Sequence, residues 1–219
     1  MKGKTATIIG VTGLIGGYLY ELLKQDSAFD TIRLIVRRPM RKDDPHTEIK
    51  LVDFNDPESL LLAISGSDVV FCTVGTTQQK VKGDKAAYRK IDYDIPVNAA
   101  RFCKMTECEN FILVSAVGAN SKSGNFYLKL KGEVEEAVNE IGLRSVHVMR
   151  PSMLLGNRKE FRLGEKIAKW VMPPLSFLIP SKYRAIDAGK VAAAMVAAAK
   201  KDNEGFFVYD YGQIKKLTH

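Results

Sequence analysis

The chain is poor in the residues that announce several common functions. Its three cysteines, Cys72, Cys103 and Cys108, are odd in number and form no CxxC pair. That suits free thiols in a reducing compartment, so a cytoplasmic address is expected. No set of His, Cys and carboxylate residues has metal-ligand spacing, and no metal is expected. Long hydrophobic runs are missing too. The longest apolar stretch away from the strands, "WVMPPLSFLIP" at 170–180, has 11 residues and three prolines, far short of the about 20 residues of a membrane helix. It is read as a cover over the substrate side, and no membrane span is expected. The opening "MKGKTATIIG" lacks the apolar region and cleavage site of a signal peptide.

What is present begins with charge. A net charge of +8 and a pI near 9.3 would attract phosphorylated small molecules, a membrane surface or nucleic acid. The basic residues are spread through "RRPMRK", "KVKGDKAAYRK" and "NRKEFR" without a basic arm or nucleic-acid motif, so no nucleic-acid partner is expected.

Short β-branched runs alternate with helical patterns along the chain. "TATIIG", "IRLIV", "IKLV", "DVVFCTV", "NFILVS", "RSVHVMR" and "GFFVYD" are separated by helix-like segments. Repeated βα units predict an α/β fold, a Rossmann-like doubly wound parallel sheet with helices on both faces. No repeat or polar linker divides the chain, so residues 1–219 are read as one domain, with 152–183 as a small substrate-side addition. Pro96 falls inside a long helical pattern from Asp84 to Met105, where Tyr88, Ile91, Ile95, Ala99 and Phe102 keep helical spacing. The helix should kink or divide there.

The first strand runs into Gly10, Gly13 and Gly16 and then a helix, the context a dinucleotide loop requires. Glycines permit a tight turn and close approach to a pyrophosphate, and the helix amino terminus offers free N–H donors. No GK[ST] follows, which excludes a triphosphate P-loop. An NAD site would place an acidic residue at the end of the second strand, against the ribose 2′-hydroxyl. Arg37 and Arg38 stand there instead. Two guanidinium groups suit a 2′-phosphate, so NADP is the expected cofactor. Asp53 and Phe54, after the third strand, are placed to meet the adenine, although a turn cap is an equal role for Asp53.

Tyr127 and Lys131 lie one helical turn apart, in register with Val134, Val138 and Ile141. A lysine is out of place on such an inward face. Together with the GxxGxxG loop and Ser115 after the fifth strand, this YxxxK pair resembles the short-chain dehydrogenase/reductase superfamily. The Arg150-Pro151 step resembles its extended and atypical members. "YLKLKGEVEEAV" followed by "RPSMLLGNR" is similar to the small NADP-binding oxidoreductases related to the Tat-interactive protein and to nucleoside-diphosphate-sugar epimerase-like proteins.

The resemblance implies an oxidoreductase acting on a small carbonyl or alcohol. Tyr127 would exchange the proton, Lys131 would supply the nearby cation and hold the nicotinamide ribose, and Ser115 would hold the substrate oxygen. The cofactor would lie along Gly10, Thr12, Gly13, Leu14, Ile15 and Gly16, then Arg37, Arg38, Asp53 and Phe54, then Val74 and Gly75, reaching Tyr127, Lys131 and Pro151. A non-catalytic NADP-sensing module is the alternative. His147, mid-strand among apolar residues, is expected to be packed, and Asn98 to be a solvated helix position.

Overall fold

Period-two alternation sorts the side chains of each strand onto two faces, and in the central strands both faces are dry. In the computed structural model, which describes residues 3–41, 43–108, 110–156 and 183–218, β1 (Lys4–Ile9) sends Ala6 and Ile8 into one apolar layer and Ile9 into the other. β4 (Val69–Cys72) divides Phe71 from Val70 and Cys72 in the same way. The first layer is closed by α1 (Leu14–Lys24), through Leu19 and Leu23, and by a helix at Ala188–Ala199, through Val191 and Met195. The second is closed by α2 (Pro57–Ile64), by a helix at Ile95–Met105 and by one at Phe126–Glu140.

The remaining strands are β2 (Phe29–Val36), β3 (Thr47–Leu51), β5 (Asn110–Val114), β6 (Ser145–Met149), a short pair β7 (Leu154–Leu155) and β8 (Ile186–Asp187), and β9 (Gly205–Tyr209). The main sheet has the order β3-β2-β1-β4-β5-β6-β9, and every pairing in it is parallel. The chain therefore builds outward from β1 on one side, then returns to build outward on the other. That reversal opens a crevice at the carboxyl ends of β1 and β4, where open α/β sheets take their ligands.

The long helical pattern is divided, as Pro96 requires. α3 (Lys85–Arg89) leads into a π-helix at Lys90–Asp94, and α4 (Ile95–Met105) begins beside the proline. Pro96 has no N–H and its ring crowds the carbonyl four residues back, so the α register cannot continue through this turn. Asp92, not Ile91, takes the fully inward place between Tyr88 and Ile95. α5 (Phe126–Glu140) starts at Asn125, whose side chain accepts from the N–H groups of Tyr127 and Leu128. Gly142, at φ +68°, follows its end. The helix at Ala188–Ala199 is α6. The last, α7 (Tyr211–Lys216), has a capping box between Asp210 and Gln213. Among the described residues no helix is long and apolar enough to cross a membrane. The apolar stretch 170–180 lies outside the described residues.

His147 is packed, as its neighbours suggest. It is fully buried on β6 between the Ser145 hydroxyl (3.1 Å) and the Tyr209 hydroxyl (2.9 Å), with Phe207 stacked on it. Burial, helped by Lys201, lowers its pKa from 6.5 to about 4. Between those values the unfolded chain binds a proton that the folded chain refuses, so stability should fall as pH drops through this window. Urea unfolding at pH 7 and pH 4 should show a loss of roughly 2–3 kcal/mol from this residue. A His147→Gln variant should have a correspondingly shallower acid slope.

Candidate functional site

The loop between β1 and α1 is built around missing side chains. Gly10 adopts φ +98°, and its carbonyl accepts the Gly13 N–H at 2.9 Å. A Cβ on Gly16 would lie 2.3 Å from that carbonyl oxygen, so helix and loop touch where only hydrogen fits. Gly13 caps α1 without a side-chain bond, which leaves the first-turn N–H groups aimed past the loop. Thr12 is exposed and Leu14 half-buried, while the Ile15 side chain points into the core and only its backbone serves the loop. The loop forms a cradle with the shape that phosphate-binding loops require, closed on the far side by Thr73. The Thr73 hydroxyl donates to the carbonyls of Ile9 and Gly10 at 3.1 Å, tying the end of β4 to the loop.

Arg37 and Arg38 follow β2 on the same edge, both exposed, and neither makes an ion pair or hydrogen bond among the described residues. They are free to meet an anion. Asp53 is occupied in the way its alternative role required: its Oδ1 accepts from the Asn55 backbone and side-chain amides, each at 2.9 Å. Phe54 is half-buried against the second apolar layer.

Val74 and Gly75 continue from β4 along the other wall of the crevice. Next to them, the Thr76 N–H donates to Asp92 Oδ2 at 2.7 Å. Asp92 Oδ1 lies 3.0 Å from the Lys131 ammonium, and both side chains are almost completely buried. Burial alone would push the Lys131 pKa down, but Asp92, Tyr127 and Cys72 together hold it above its ordinary value. Lys131 sits 6.0 Å from the Tyr127 ring centroid. Tyr127 itself is open to solvent at the first turn of α5.

Ser115 occupies the end of β5, as its sequence position demands, but its hydroxyl has another partner. It is 4% exposed and donates to Glu135. Glu135 also accepts from Arg150, through Nε at 3.0 and 3.1 Å and through Nη2. The Ser115 proton is thus held by a buried carboxylate and does not face the crevice. Pro151 is buried, and its carbonyl accepts the Val117 N–H at 3.0 Å. Beyond it, a Cβ on Gly156 would meet Leu14 at 3.0 Å, so the segment after β6 returns to the phosphate loop.

Two site residues were not anticipated. Asp92 interrupts an apolar stripe, and a buried lysine that keeps its charge needs a counter-charge; an inward Lys131 was the signal for it. Glu135 lies one turn beyond Lys131 on the same face of α5 and could have been found likewise. An open groove of about 470 Å³ between the ends of α1 and α6, lined by Leu22, Asp26, Val196 and Lys200 among others, lies at the opposite end of α1.

A strand, a glycine cradle and a helix amino terminus at the switch point of a parallel sheet define a Rossmann-type nucleotide-binding protein. The chain belongs to the NAD(P)H-binding family, whose model matches residues 10–202. It is 33% identical over 172 residues to Protein HTATIP2 of Rattus norvegicus, covering 77% of this chain and 70% of that protein. It is 32% identical over 169 residues to Protein FMP52, mitochondrial, of Candida albicans, covering 75% and 73%. The mitochondrial label of that relative gives no support to the expected cytoplasmic address. Among solved structures, Bordetella bronchiseptica WbmH in complex with NAD+ superposes with a TM-score of 0.74 at 19% identity, covering 98% of this chain and 79% of that one. UDP-N-acetylglucosamine 4-epimerase from Bacillus cereus gives 0.72 at 18%, covering 99% and 83%. The resemblance to the extended short-chain dehydrogenase/reductases therefore holds for fold and cofactor class.

Proposed function

We propose that the protein is an NADP-dependent oxidoreductase acting on a small carbonyl or alcohol. The observation that carries this reading is the pairing of a solvent-open Tyr127 with a buried, charged Lys131 beside the wall formed by Val74 and Gly75. A purely structural helix has no use for a buried ammonium at that place. The loop suits a dinucleotide, because Gly10 and Gly16 let it close against β4 and α1, where a Cβ would strike Thr73 or the Gly10 carbonyl, and the uncapped N–H groups of α1 stay open to a pyrophosphate.

When bound, the nicotinamide would give or take hydride. Gly10 to Gly16 would hold the pyrophosphate by backbone N–H groups, with Thr12 and Leu14 flanking it, and Asp53 and Phe54 would border the adenine. Lys131 would hold the nicotinamide ribose, and the backbone near Pro151 would lie by the nicotinamide. Tyr127 would pass the proton to or from the substrate oxygen. Ser115, its proton given to Glu135, can offer that oxygen no donor and serves to anchor the β5 loop against α5. The commitment of that proton is also what favours the second reading, an NADP-sensing module without turnover. A screen of NADPH oxidation against carbonyl compounds decides between them: turnover of any member supports the enzyme, and binding without turnover across the panel supports the sensor.

The proposal of NADP over NAD rests on Arg37 and Arg38. NADPH should bind at least about tenfold more tightly than NADH, a gap of ~1.4 kcal/mol. Replacing both arginines by alanine should weaken NADPH and leave NADH nearly unchanged in a fluorescence titration. Equal loss of both cofactors would assign the arginines to folding.

A further inference from the structure

We propose that Asp92 is the positioning residue of this site, supplying the counter-charge that fixes the Lys131 ammonium between Tyr127 and the cofactor wall. The inference deepens the oxidoreductase reading and rests on its placement of a dinucleotide beside Val74 and Gly75.

Asp92 joins three elements from the inside, while Arg89 with Glu133 and the Tyr88 hydroxyl with the Thr76 carbonyl tie the same segment to α5 and to the loop after β4 nearer the surface. Its own backbone belongs to the π-helix that Pro96 forces. Oδ2 takes the Thr76 N–H from the loop after β4, and Oδ1 faces Lys131 on α5. Gly75 lies alongside: a Cβ there would be in ordinary contact with Oδ1, at 3.7 Å. The other groups facing Lys131 are Tyr127 from α5 and Cys72 from β4, whose thiol burial pushes up to about 11. Glu135, one turn further along α5, is taken by Arg150 and Ser115. Asp92 is therefore the carboxylate available to this ammonium among the described residues.

A buried pair of this kind is a poor device for stability, since apolar residues of the same volume do as well or better. Keeping it at the base of a cofactor crevice points to the ammonium being required there. Without Asp92, a lysine this deeply buried loses its proton at a much lower pH, and with it the charge that would grip a ribose.

The test is NADPH titration by fluorescence at pH 6.5 and pH 9, together with thermal melts, on the wild type, Asp92→Asn and the double variant Asp92→Asn/Lys131→Met. Asn keeps an acceptor for Thr76 and removes only the charge. Wild-type affinity should be nearly equal at the two pH values. Asp92→Asn should bind about tenfold more weakly at pH 9 than at pH 6.5, as the uncompensated lysine deprotonates. The double variant should bind weakly at both and melt higher than Asp92→Asn. Should Asp92→Asn not fold, the double variant still must, because it buries no unpaired charge. Asp92→Asn binding that is flat with pH, or a double variant no more stable than the single, would overturn the assignment. Absence of NADPH binding in the wild type would instead reject the cofactor reading beneath it.

Discussion

Tyr127→Phe should keep its affinity for NADPH and lose about 10²-fold in turnover or more, the range of a general acid-base contribution. That loss corresponds to about 2.7 kcal/mol of transition-state stabilisation. The structure makes the experiment clean, because the ring is 36% exposed and the turn that carries it is held by the Asn125 cap and not by the phenol. Removing the hydroxyl should therefore leave the melting temperature unchanged. Lys131→Met should fail differently. It removes the charge that would hold the ribose and leaves Asp92 buried without its partner, so NADPH binding, turnover and stability should all fall. A Tyr127→Phe variant with full activity would remove the proton-transfer role; two variants that differ from wild type only in melting temperature would reduce the pair to packing.

The middle of the main sheet was legible because its strands are short apolar runs buried on both faces, and because a glycine loop between the first strand and a helix suits a dinucleotide turn. Elements held by side-chain detail were harder to see. The helix at Tyr211–Lys216 depends on the Asp210 and Gln213 capping box, a signal present in "DYGQ" but lacking an apolar stripe to frame it. The two-residue strands β7 and β8 carry no periodicity at all, and only their mutual pairing defines them.

At the site, single-residue reasoning placed Tyr127 and Lys131 on one face but could not say where their neighbours point. Ser115 shows why. Its position at the end of β5 was evident, yet whether its hydroxyl turns to the crevice or to Glu135 depends on Arg150, 35 residues away in sequence, which fixes Glu135 from the far side. Asp92 was hidden for a related reason. A kink or division was expected at Pro96, but helical spacing put Ile91 in line with Tyr88 and Ile95, and the π-turn before the proline rotates the aspartate into that place.

The phosphate loop offers the second large effect, in a comparison of two adjacent glycines. Gly16→Ala should abolish measurable NADPH binding, a loss of about 10²-fold or more, while Gly17→Ala should leave a folded protein that melts at the wild-type temperature or above. A Cβ at Gly16 would stand 2.3 Å from the Gly10 oxygen and 2.8 Å from the Thr73 hydroxyl oxygen. Both are fixed, since that carbonyl already accepts the Gly13 N–H and the Thr73 hydroxyl. The added methyl must therefore push the loop away from α1 and out of register with the N–H groups that would hold a pyrophosphate, at a folding cost of about 1–3 kcal/mol for overpacking. A Cβ at Gly17 meets nothing nearer than the Val11 oxygen at 3.9 Å, so alanine there gains up to about 1 kcal/mol of helix propensity without a clash. Melting curves and NADPH titrations on the two variants measure the contrast. Normal binding by Gly16→Ala would show that the loop yields freely and does not owe its function to close packing against the helix.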